Sequence, residues 1–133
     1  MPSIFTRIIN GEIPCYKIAE DNHCIAFLDV NPLVLGHTLI VPKKEVDYIF
    51  DISDNEYTYL WNFAKYVARG VKAAVPCKRV GIAVIGLEVP HAHIHLIPLN
   101  RISDMNFANP KMKVADQEMI QIAQQIRSFL SKD

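Results

Sequence analysis

"VPHAHIHLIP", residues 89–98, sets His91, His93 and His95 at every second position, with Ala92, Ile94 and Leu96 between them. Side chains of a strand alternate between faces. A strand over 91–98 therefore projects all three imidazoles from one face, about 6.5–7 Å apart, and sends the apolar residues into packing. The preceding "RVGIAVIGLEV" (79–89) is too short and too β-branched for a helix. It predicts a second strand, joined to the first near Pro90 and antiparallel to it.

Outward from this pair the pattern continues. "HTLIVP" (37–42) reads as a strand with His37, Leu39 and Val41 on one side and Thr38 and Ile40 on the other, stopped by Pro42. Residues 16–30 read as a hairpin turning at "EDN". Its second strand places Ile25, Phe27 and Asp29 on one face and Cys24, Ala26 and Leu28 on the other, so one face combines apolar bulk with a carboxylate. Ser3 caps a short helix over "IFTRIING", ended by Gly11 and Pro14.

"SDNE" (53–56) is a capping box that starts the longest helix. Tyr57, Leu60, Trp61, Ala64, Val67, Ala68 and Val71 keep helical spacing to about Ala74, and Pro76 lies just beyond. A polar connection, "NRISDMNFANPKMK", leads to a C-terminal amphipathic helix marked by Ala115, Met119, Ile122, Ala123, Ile126 and Leu130. This order predicts an α+β fold, an antiparallel sheet with one long and one C-terminal helix packed on it.

Composition narrows the function. The chain has 133 residues, which predicts one domain over 1–133. Lys plus Arg and Asp plus Glu are 14 each, so no global field favours nucleic acid or a membrane surface. No apolar run approaches the roughly 18 residues of a membrane span, and the N-terminus lacks a signal-peptide pattern. Three cysteines without close spacing outline neither a disulfide framework nor a zinc knuckle, and fit a reducing cytoplasm.

The residues alone leave three readings of the histidine row. It is structural; or it holds a metal, with His37 or Glu88 completing the site; or it performs phosphoryl chemistry, because imidazole attacks phosphorus when neutral and donates protons when charged.

"HAHIHLI" resembles the motif of alternating histidines and hydrophobic residues that names the histidine triad superfamily. "SIFTRIINGEIP", "CIAFLDVNP" and "GHTLIVPKK" resemble, in order, blocks of its nucleotide-binding branch. The resemblance covers residues 3–98 and leaves 101–133 as a variable tail with a helix. It implies a HIT-like fold, a homodimer, and a hydrolase releasing a nucleoside monophosphate from purine nucleoside 5'-phosphoramidates or related nucleotidyl adducts. No cofactor or metal is implied; a structural zinc in particular is not expected, because Ser3 and Thr6 stand where zinc-binding members carry a Cys-x-x-Cys pair. A binding protein of this fold with weak or no turnover is one alternative, and an unrelated three-histidine metalloprotein the other.

The resemblance makes His93 the nucleophile. It gives His91 and His95 the roles of orienting it and binding phosphate or leaving-group oxygens, and makes His37 the upstream fourth histidine. Asp29 becomes the ribose acceptor, and Ile4, Phe5, Ile8, Phe27 and Val30 the purine wall. The segment before the triad departs from the pattern. Relatives carry a longer stretch of phosphate-holding amides there, whereas this chain runs "GLEVP" (86–90) into the triad, with Gly86 standing for one family glycine and Glu88 where several relatives have a hydroxyl.

Overall fold

The computed structural model describes residues 2–130. The chain folds as α1 (Ile4–Ile9), β1 (Lys17–Glu20), β2 (Cys24–Leu28), β3 (Thr38–Pro42), a 3-10 turn (Ile49–Asp51), α2 (Asp54–Ala74), β4 (Arg79–Ala83), β5 (Ile94–Leu99), a second 3-10 turn (Ile102–Met105) and α3 (Asp116–Phe129). The five strands form one antiparallel sheet in the order β1-β2-β3-β5-β4. The expected α+β architecture is therefore the observed one. The final three residues of the expected 101–133 tail lie outside the described residues.

One face of the sheet carries the main core. Cys24, Ala26, Leu28, Ile40, Ile94 and Leu96 pack there against Leu60, Ala64, Val67 and Val71 of α2 and Met119, Ile122, Ala123 and Ile126 of α3. Ser53 caps α2, its Oγ accepting from the Glu56 amide at 3.4 Å. The apolar stripe of α2 also contains Phe63 and Gly70, which the sequence pattern passed over. A Cβ at Gly70 would sit 2.5 Å from Leu130, so the missing side chain is what lets α3 approach. The opposite face holds a smaller cluster of Phe5, Ile25, Phe27, Leu39 and Val41, covered by α1.

The strands flanking the triad are shorter than expected. β4 ends at Ala83 and β5 begins at Ile94, so residues 84–93 form the connection and only His95 of the three histidines lies in a strand. The cause is where the backbone donors go: the Ala92 amide bonds the Val46 carbonyl at 2.7 Å and the His91 amide bonds Val89, in place of ladder partners. The alternation survives, since Ala92, Ile94 and Leu96 all enter the main core. The spacing does not. The rings of His93 and His95 are 4.8 Å apart, closer than a regular strand would set them.

Candidate active site

The second face of the sheet builds the site by register. Phe27 of β2 pairs with Leu39 of β3, and Leu39 pairs with His95 of β5, so these three side chains form a row across three strands. Asp29 and His37 lie two residues beyond Phe27 and two before Leu39, and His93 lies two before His95. Period two keeps all of them on this face. The Asp29 amide bonds the His37 carbonyl at 2.9 Å, which locks the two loop ends together. Gly36, at φ +92°, makes the tight turn that starts β3.

These residues surround a cavity of about 460 Å³. Ile4, Phe5, Ile8, Phe27, Asp29, Val30, Glu88, His93 and His95 all line it, together with Cys15, Leu39 and Lys111. Phe5 and Phe27 are buried, whereas Ile4 and Val30 on the rim are 49% and 62% exposed. A wider depression of 640 Å³ lies between β1, α2 and α3, but it holds none of the histidines. His91 and His37 do not line the 460 Å³ cavity.

A HIT domain family model matches residues 10–102. This chain is a HIT protein. A HIT-like protein of Methanocaldococcus jannaschii is 43% identical over 105 residues, 71% of this chain and 77% of the relative. An adenosine 5'-monophosphoramidase of Saccharomyces cerevisiae is 38% identical over 96 residues, 71% of this chain and 61% of the relative. A HIT-like protein of Bartonella henselae has a closely similar crystal structure, with a TM-score of 0.82 at 27% identity, covering 95% of this chain and 94% of that one.

Hydrogen-bond partners assign the tautomers in this HIT protein. His93 Nδ1 lies 2.7 Å from the His91 carbonyl. A carbonyl only accepts, so Nδ1 carries the proton and Nε2 keeps its lone pair. The Leu33 amide donates to His37 Nδ1 at 3.1 Å, which forces the proton of neutral His37 onto Nε2. That Nε2–H donates to His95 Nδ1 at 2.9 Å and leaves His95 with a proton on Nε2. Of the two histidines that line the cavity, one is thus a lone-pair donor and its neighbour a hydrogen-bond donor.

Burial keeps this arrangement neutral. It lowers His37 from 6.5 to about 4, with the Lys111 charge as a lesser cause. It lowers His95 to about 3, reinforced by neighbouring His93 and His37. His93 is lowered by the same desolvation, partly offset by its hydrogen bond to His91. Burial raises Asp29, against the amide of Asn31 that bonds its carboxylate. Asp29 approaches His37 to 3.6 Å, but with His37 neutral above about pH 4 this is not an ion pair at pH 7.

The Asp29, His37 and His95 donor atoms all lie within 4.8 Å of one another, which meets the spacing of a metal site. The tautomer argues against that use. A ligating histidine normally donates its other N–H outward, whereas the second nitrogen of His37 receives a donor from Leu33.

Of the two parts of its expected role, His91 is placed for orienting His93 and not for binding phosphate or leaving-group oxygens. Its Nε2 donates to the Pro42 carbonyl at 2.8 Å and its Nδ1 accepts from Ser3 Oγ at 2.7 Å, so neither ring nitrogen is left for a phosphate oxygen. Ser3 also caps α1, accepting from the Thr6 amide. Thr6 and the Ser3 amide bond Glu45 at 2.5 and 2.8 Å. The Ser3, Thr6 and Glu45 cluster therefore pins His91, whose carbonyl in turn orients His93.

Besides Cys15 and Leu39, sequence reasoning missed two residues of the site. Phe107 packs edge-on against His95 at 4.9 Å and His37 at 6.3 Å without lining the 460 Å³ cavity, and Lys111 lines it. Both come from the irregular segment 102–114. No periodicity marks such a segment, and only the pairing of an aromatic and a lysine four residues apart in a polar stretch hints at it.

Proposed function

We propose that this HIT protein is a nucleotide hydrolase. It cleaves purine nucleoside 5'-phosphoramidates or related nucleotidyl adducts through a nucleotidyl intermediate on His93 and releases the nucleoside monophosphate. The observation that carries this is the bond from His93 Nδ1–H to the His91 carbonyl, which aims chemistry at an unprotonated Nε2 in the cavity. The name of the yeast relative, an adenosine 5'-monophosphoramidase, supports the same class of substrate.

The base lies among Ile4, Phe5, Ile8, Phe27 and Val30, and the Asp29 carboxylate accepts from the ribose hydroxyls. Apolar surface left exposed at Ile4 and Val30 is what such a ligand covers. His93 Nε2 attacks the α-phosphorus, and the phosphorus–nitrogen bond breaks with its electron pair leaving on the amine, which takes up a proton. A water oxygen then attacks phosphorus, the phosphorus–Nε2 pair returns to His93, and the water releases the proton that the first step consumed. His95 Nε2–H donates to a phosphoryl oxygen as charge accumulates, and its low basicity keeps it a neutral donor throughout.

Incubation with adenosine phosphoramidate is expected to release AMP, and His93→Ala to abolish release while retaining AMP affinity. Normal hydrolysis by His93→Ala contradicts the assignment. The Glu88 carboxylate on the cavity wall favours the weak-turnover alternative, because it opposes an incoming phosphate; AMP binding without release by the wild type identifies that case.

The same reading takes the protein as a cytoplasmic homodimer. Three free thiols support a reducing compartment. The outer edge of β4 supports pairing: Ile82 is 49% exposed, and the buried indole N–H of nearby Trp61 has no partner among the described residues. Sedimentation at twice 15.1 kDa is expected, and a monomer removes this part. Among the described residues no helix is long and apolar enough to cross a membrane.

A further inference from the structure

Beyond His93 and His95 lies a second compartment of about 200 Å³, lined by Ile85, Gly86, Leu87, Phe107, Glu88 and Lys111 as well as the two histidines. It shares Glu88, His93, His95 and Lys111 with the 460 Å³ cavity. A substrate spanning both places its scissile bond at the two histidines. The nucleoside takes the larger side and the leaving group the smaller.

The smaller side has a size and a chemistry. At about 200 Å³ against about 460 Å³ on the nucleoside side, it takes the smaller group, of about amino-acid size. Leu87, Ile85 and Phe107 offer it apolar surface, and Lys111 a cation. Lys111 and Phe107 lie outside the residues 10–102 that the family model matches. The wall is built. The Met112 amide bonds the Pro32 carbonyl at 2.8 Å, Asn109 bonds Ser103 and Asn106, and Lys111 Nζ reaches the Phe107 carbonyl at 2.9 Å. Its charge is felt by Asp29, His37 and His95.

We propose that Lys111 is a specificity-determining residue that binds an oxyanion carried by the leaving group. The group it fits best is the carboxylate of an amino acid joined through its amine to the nucleotide phosphorus. This rests on the reading of His93 as the nucleophile. Glu88 lines the same compartment and repels an anion that enters on its side, so the carboxylate settles against Lys111.

The test compares two adenosine 5'-phosphoramidates of equal size, one N-linked to alanine and one to its neutral amide, alaninamide. Wild type is expected to favour the carboxylate in kcat/KM by about tenfold. Lys111→Met, an exposed position whose substitution spares the core, collapses the ratio to below about twofold. Lys113→Met, which lines neither compartment, keeps it. A wild-type ratio near one, or a ratio that survives Lys111→Met, overturns the proposal. Hydrolysis of neither compound, nor of adenosine phosphoramidate itself, overturns the nucleophile instead. In that case titration of both compounds into His93→Ala decides separately: the same tenfold preference, lost on adding Lys111→Met, supports the subsite, and equal affinities overturn it.

Discussion

His37 Nε2 donates to His95 Nδ1 across 2.9 Å, and both rings are buried. The bond runs from a loop end to β5, the strand that carries His95. It connects the Leu33 amide, through two imidazoles, to a proton on the cavity-lining nitrogen of His95. A histidine outside the triad and outside the cavity thus selects which face of a triad member is the donor.

His37→Ala removes that selection and frees His95 to adopt the other tautomer. Turnover is expected to fall about 10- to 100-fold, the range seen when partners that orient catalytic ligands are removed, while AMP affinity stays within about twofold. Steady-state kinetics beside AMP titration separates the two. Unchanged turnover shows that His95 does not depend on this bond.

Acid should unfold the protein early. His37 and His95 titrate near 6.5 when unfolded and at about 4 and about 3 when folded. The unfolded chain therefore binds more protons below pH 6.5, and stability present above that pH is lost as pH falls toward 4. His91 and His93, lowered in the same direction, add to the loss. The raised Asp29 opposes it but is one group against four. Thermal melts from pH 7.5 to 4.5 should show a falling Tm, and His37→Ala should flatten the slope. A Tm constant across this window contradicts the buried neutral histidines.

Ser3→Ala takes the 2.7 Å donor from the buried His91 Nδ1, leaving it only Thr6 Oγ1 at 3.5 Å, and takes the cap from α1. The expected cost is about 1–3 kcal/mol by urea denaturation. Activity should fall as well, because the His91 carbonyl that orients His93 loses its anchor. A loss below about 0.5 kcal/mol shows that the cluster is ornamental.

Much of this was legible in the sequence. Period-two alternation places Phe27 with Asp29 and His37 with Leu39, and the register of β2, β3 and β5 brings those faces together. Strong periodicity, as in α2 and α3, leaves little freedom. What escaped is set by long-range hydrogen bonds that no local pattern encodes. His91 alternates correctly with His93, but its ring nitrogens turn to Ser3 and Pro42, 88 and 49 residues away in sequence. Ala92 bonds Val46 in place of a ladder partner, which shortens β5. Phe107 and Lys111 sit in an aperiodic segment held by the bond from Met112 to Pro32 and by the packing of Phe107 on His37 and His95.

Covalent chemistry at His93 is the central claim. Rapid acid-free quenching of wild-type protein during turnover of an adenosine 5'-phosphoramidate, followed by peptide mass spectrometry, should find one adenylyl group on the peptide containing His93 and none in His93→Ala. An adenylyl group on His91 or His95, or turnover with no protein-bound nucleotide at any quench time, contradicts the account.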